Sequence, residues 1–328
     1  MSGHLRAEWI RFRKRRSLQV IILAVPLLVA FLFAAGYGSL GASPPAFDPV
    51  AVRADLVAQG YGVGLPPDQL EQALNDAVEA QRFPIEQALE DYRIKLSAFA
   101  FPVSLVTLLG SGSTVFLALV LLVATTFGDE FSWGTIRTTL LASSNRRRLL
   151  VLRLAAVIGI GVGMVAALAL LGVVLPLVLT LAGAHFPPTP GLNLAAFAVL
   201  VLGTLEGCLV VVAFGALATL LVRSGSLTFV VLLVYVAVEA SVLTVLSRLT
   251  PFQEHGDLAW LLDAFPVRGI ARLTDTAARV ASGLPRFPGE AVPTDLGGTL
   301  VPIVALLFWA FAFLSIAYVR FTRMDVVE

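Results

Sequence analysis

The chain has 328 residues, of which 58% are hydrophobic and 14% charged, with a mean hydropathy of +0.88. Soluble domains carry about 25% charged residues, so too few polar side chains are present to cover a water-exposed surface, and the composition points to an all-α polytopic membrane protein. A formal net charge of +1 argues against nucleic-acid binding, and the single cysteine, Cys208, rules out an intrachain disulfide or a thiolate metal cluster.

An apolar run of about 18 residues or more can cross a hydrocarbon core about 30 Å thick. Six stretches qualify: residues 18–38, 101–127, 149–184, 192–222, 226–248 and 298–320. The first sixteen residues hold Arg6, Arg11, Arg13, Lys14, Arg15 and Arg16 against Glu8, with Trp9, Ile10 and Phe12 among them. Residues 1–17 thus read either as an amphipathic helix lying on anionic headgroups or as a plain basic flank. The first apolar run also has the basic start and the Leu40-Gly41-Ala42-Ser43 end of a signal peptide. Its full spanning length and the polar segment before it favour a membrane span.

Residues 39–100 carry nine acids against four bases. Asp48-Pro49 suits a helix cap, and Asp68 with Glu71 after Pro66-Pro67 resembles a capping box. Leu70, Leu74 and Val78 form one stripe, and after Pro84 a second follows at Ile85, Leu89, Tyr92, Leu96 and Phe99. A small, acidic, helical cap is expected, either as a spacer or as a lid over a substrate path.

Residues 128–148 are basic again, through Arg137, Arg146, Arg147 and Arg148. Within them Trp133, Ile136, Leu140 and Leu141 share one face of a short helix, with Glu130 and Arg137 on another side. The long stretch 149–184 contains Gly159-Ile160-Gly161-Val162-Gly163, small residues that permit close helix approach, and a bend point at Pro176. Spans 192–222 and 226–248 are joined by a tight basic turn at Arg223, so they read as antiparallel neighbours. Each holds one acid, Glu206 and Glu239, placed so that the two can meet near mid-membrane. Ionisable groups at that depth are costly. Either the pair lines a translocation path for a cation or proton, or each is a neutral carboxyl bonded to Thr204, Ser241, Thr244 or a partner helix.

Residues 249–297 are acidic, with four arginines against six acids. Leu258, Leu261, Leu262 and Phe265, then Ile270, Leu273, Ala277 and Val280 after Pro266, predict two short amphipathic helices, lying on the outer surface or re-entering the bilayer. A tail, residues 321–328, follows the last span, and the stretch Arg320–Arg323 at its start falls on the basic side. Basic and acidic segments alternate throughout, so the positive-inside rule predicts six spans with both termini cytoplasmic.

The run Gly128-Asp129-Glu130-Phe131-Ser132-Trp133-Gly134-Thr135-Ile136-Arg137, then Leu140-Leu141 and Asn145-Arg146-Arg147, resembles the second intracellular segment of ABC-2-type transporter permeases. Ala142 and Ser143 stand where members often carry proline. The resemblance implies the type V exporter-like architecture, in a prokaryotic plasma membrane. It implies a dimer with a second permease copy or paralogue, and a coupling helix at Glu130, Trp133, Gly134, Thr135, Ile136 and Arg137 seated in separate ABC ATPase subunits. The only lysines, Lys14 and Lys95, sit in Arg-Lys-Arg and Ile-Lys-Leu, so the chain has no phosphate-binding Gly-Lys-Ser/Thr loop. ATP and Mg would bind the partner ATPase, leaving this chain a transport subunit and not an enzyme. The competing reading is a proton- or cation-coupled secondary transporter built on Glu206 and Glu239. An intramembrane enzyme is disfavoured, because the three histidines are scattered and no His-Glu-x-x-His occurs.

Overall fold

A computed structural model describes residues 16–40, 47–64, 66–110, 113–128, 146–246, 248, 259–285, 290–291, 294 and 296–323. The described residues are helical, with no strand among them. Among the described residues, five helices are long and apolar enough to cross a bilayer: α1 (Arg16–Ser39), α6 (Arg146–Leu181), α7 (Leu194–Val222), α8 (Gly225–Leu246) and α11 (Leu300–Thr322). The chain is a multi-pass membrane protein. Between them lie α2 (Pro49–Ala58), α3 (Pro67–Ser97), α4 (Val103–Gly110), α5 (Ser113–Val123), α9 (Ala259–Asp263) and α10 (Pro266–Ser282).

Of the stretch 101–127, expected as one span, all residues but 111 and 112 are described. It forms α4, then α5, which continues as a π-helical turn over Ala124–Gly128. One side-chain bond and one close backbone approach hold the start of this segment against α6. Ser104 Oγ donates to the Gly172 carbonyl of α6 at 2.7 Å, and Leu105 lies so close that a Cβ on Gly172 would sit 2.5 Å from its Cα. Backbone-to-backbone approach of this kind needs a residue without a side chain.

The acidic cap departs from expectation at two points. Pro66 holds the N-cap position of α3, so Asp68 falls inside the helix and not at the cap position expected of a capping box. Pro84 falls inside one 31-residue helix instead of starting a second one. Asp48 does cap α2, accepting from the Val50 and Ala51 amides. Leu74 and Val78 bury against Leu56 of α2, giving the cap its own small core. Surface pairs run along α3, among them Arg82 with Glu86 at 2.7 Å, which raises the guanidinium pKa. The exit of α3 is held to α1 by Phe99, edge-on to Phe33 and Tyr37.

Helix α7 is the axle of the bundle. It packs against α5, α6, α8, α10 and α11, and Gly203, Gly207 and Gly215 let neighbours close in. A Cβ at Gly207 would lie 2.7 Å from the Phe116 ring, and one at Gly215 2.7 Å from Val123. Of the three α6 glycines in the Gly-x-Gly-x-Gly run, only Gly161 faces a neighbour closely, at Leu119; nothing among the described residues lies near Gly159 or Gly163. Asn193 caps α7 through the Ala196 amide. Arg147, Arg223 and Arg320 gather at one end of the bundle, the basic end, where Arg147 lies over the Tyr318 ring.

Candidate functional site

The chain leaves α8 at the end of the bundle opposite the basic end, and α9 and α10 then form a hairpin inserted among the spanning helices. The α10 stripe explains why it goes in. Ile270, Leu273, Ala277 and Val280 are all buried, Leu273 over Gly203 and Ile270 beside Gly207. Gly207 is thirteen residues into α7, about 20 Å along its axis. At its far end α10 returns to the start of α7, where the Asn193 amide donates to the Ala281 carbonyl at 3.1 Å. Gly283 closes the helix in the left-handed conformation, φ +63°, which suits glycine. So α10 runs from deep in the bundle out to its surface.

A helix N-terminus inside an apolar bundle exposes amides that need acceptors. The sequence of α10 and one distant carboxylate meet that need. Pro266, the first helical residue, has no N–H. The next two amides, Val267 and Arg268, both donate to Glu239 Oε1, at 2.8 and 3.0 Å. The Gly269 amide donates to the Phe265 carbonyl at 2.7 Å. Glu239 is 5% exposed and lies seven residues from the end of α8, about 10 Å in. A carboxylate here also complements the positive end of the helix dipole.

Around the same turn, in the segment expected to form two short amphipathic helices on the outer surface or re-entering the bilayer, sits an ion cluster. Asp263, 6% exposed, accepts from Arg268 Nε at 3.1 Å and has Arg272 Nε at 3.6 Å. The Trp309 indole of α11 donates to the Ala264 carbonyl at 2.9 Å, nine residues and about 14 Å inside its own helix. Glu239, Thr244 and Arg268 line a cavity of about 240 Å³ between α8 and α10. The signal for this cluster was present in the pattern Asp263-Ala264-Phe265-Pro266. An acid shortly before a half-buried aromatic and a helix-starting proline marks a turn that must satisfy its own polar atoms.

The two glutamates singled out from the sequence have separate surroundings. Glu239 is tied to α10 through Oε1, and its Oε2, like Glu206 Oε1 on α7, is enclosed without a hydrogen-bond partner. The hydroxyls considered as their partners turn to their own helices: Thr204 to Leu200, Ser241 to Ala237 and Thr244 to Ala240. Arg153 lies within α6 and is 2% exposed. Glu130, Trp133, Gly134, Thr135, Ile136 and Arg137 lie outside the described residues. What the structure does place is the start of their segment. Gly128 crosses Gly225 at the α7–α8 turn so closely that a Cβ on Gly128 would lie 2.1 Å from the Gly225 Cα.

Comparison of the chain with family models, curated proteins and solved structures finds no match in any of the three.

Proposed function

We propose that this chain is the permease subunit of an ATP-binding-cassette exporter of the ABC-2 type. Two permease copies, or one copy and a paralogue, form the translocation path across a prokaryotic plasma membrane, with six spans each and both termini cytoplasmic. ATP and Mg bind separate ATPase subunits, which seat the segment around Glu130–Arg137. The basic end of the bundle is the cytoplasmic end, and the α9–α10 hairpin is re-entrant from outside.

One observation carries the reading: the Glu130-Phe131-Ser132-Trp133-Gly134-Thr135-Ile136-Arg137 run, charged on one side and apolar on the other, between two apolar stretches. Its neighbourhood supports a mechanical role. The segment begins at Gly128, in backbone contact with the α7–α8 turn, so a push on it reaches two helices at once. A moving ATPase changes permease conformation only if the contact differs between its states, and a charged, amphipathic helix suits such a contact.

Secondary transport built on both glutamates is the weaker reading. Glu239 spends one oxygen, Oε1, on two backbone amides, which is a structural task, while its Oε2 and Glu206 Oε1 are each enclosed without a hydrogen-bond partner. The test is purification of the tagged full-length chain from its native membrane, followed by assay of bound ATPase activity. The reading expects magnesium-dependent hydrolysis that Arg137→Ala or Trp133→Ala removes or uncouples while the permease stays folded. Absence of any ATPase from the wild-type complex, or variants equal to wild type, contradicts it.

A further inference from the structure

We infer that α8 is a strut that transmits displacement from the basic end of the bundle to the α9–α10 hairpin, with Glu239 as its far fastening. Helix α8 buries few side chains: Gly225, Thr228, Leu232, Glu239 and Leu243. Val234, Val238, Val242 and Val245 face outward instead. A helix so lightly embedded is positioned by its ends. At the basic end, Gly225 is in backbone contact with Gly128, where the segment 128–148 begins. Fourteen residues on, about 21 Å along the helix, Glu239 Oε1 takes the first two amides of α10.

The two fastenings differ in kind. The Gly128–Gly225 contact has no side chain to deform, so it passes displacement without slack. The Glu239 contact is a pair of hydrogen bonds from a carboxylate to a helix N-terminus, strong and directional but breakable. Arg268, whose amide is one donor, also bonds Asp263, and Ala264 of the same turn is held by Trp309. Pulling α8 therefore loads the whole turn of the hairpin, and Glu239 acts as a positioning residue for it. The side of the cavity lined by Thr244, Val267 and Ala271 is where opening of this joint would admit water.

The source of the push rests on the function proposed above, but the strut does not, so its test uses this chain alone. Full-length protein in lipid nanodiscs is followed by amide hydrogen exchange of a peptide spanning residues 264–274, with an α7 peptide as a control for folding. Glu239→Leu should speed exchange of the hairpin peptide by about tenfold or more, since the Val267 and Arg268 amides lose their acceptor. Glu239→Gln, which keeps an acceptor oxygen, should restore near wild-type exchange. The decisive variant is remote. Gly128→Ala forces Gly225 aside and should speed the same peptide by about threefold or more, and should add nothing further to Glu239→Leu, because one linkage carries both effects. If Glu239→Leu does not fold, Glu239→Asp, one methylene too short to reach both amides, takes its place with the same expectations. The inference is overturned if Gly128→Ala leaves residues 264–274 at the wild-type rate, or if its effect multiplies independently with that of the Glu239 variant. Absence of an ATPase partner would leave this result untouched.

Discussion

Helices α7 and α8 are consecutive, antiparallel and comparably apolar, yet they do opposite jobs. Of the most apolar stretch of α7, 44% is buried, against 17% for α8. The difference lies in small residues. Gly203, Gly207 and Gly215 open α7 to Leu273, Phe116 and Val123, whereas α8 offers valines and leucines to its surroundings. In a bilayer apolarity alone draws no helix inward, because lipid tails are as apolar as leucine; close packing and polar bonds do. Glu239 is therefore the residue that gives α8 a place, and α7 needs no such anchor.

That contrast can be broken by substitution. The largest effect is expected on α8, from Glu239→Leu, which orphans two buried donors at about 1–3 kcal/mol each; SDS titration should show a loss of several kcal/mol, with most of it recovered in Glu239→Gln. Next comes α7. Gly207→Val must displace Phe116 and Ile270, costing about 1–3 kcal/mol by the same assay. If it is neutral, α7 is not the axle. A smaller effect attends the hairpin turn: Trp309→Phe loses the bond to the Ala264 carbonyl and should cost about 0.5–1.5 kcal/mol. Smallest of all, Val234→Ala on the outward face of α8 should stay within about 0.5 kcal/mol of wild type. A large loss there would mean that another chain covers α8.

Much of the helical layout was legible from residues. Apolar length located α6, α7, α8 and α11, Asp48-Pro49 marked a cap, and the Ile270, Leu273, Ala277, Val280 stripe named the buried face of α10. The sequence was silent on which span lies at the centre, because every span is apolar on all sides and periodicity then carries no direction. Pro84 misled because a proline inside a long exposed helix is tolerated where its lost bond faces water. Glu239 was visible as an anomaly, but its partners, two backbone amides 28 and 29 residues away, leave no trace in side-chain identity.

The most direct test of the whole account joins its two ends. Purified full complex is held in nucleotide-free and vanadate-trapped states in nanodiscs, and amide exchange is followed at residues 264–274. The account predicts that trapping changes exchange of this peptide by several-fold and that Gly128→Ala or Arg137→Ala abolishes the change. Identical exchange in the two states, with ATP hydrolysis intact, would contradict it.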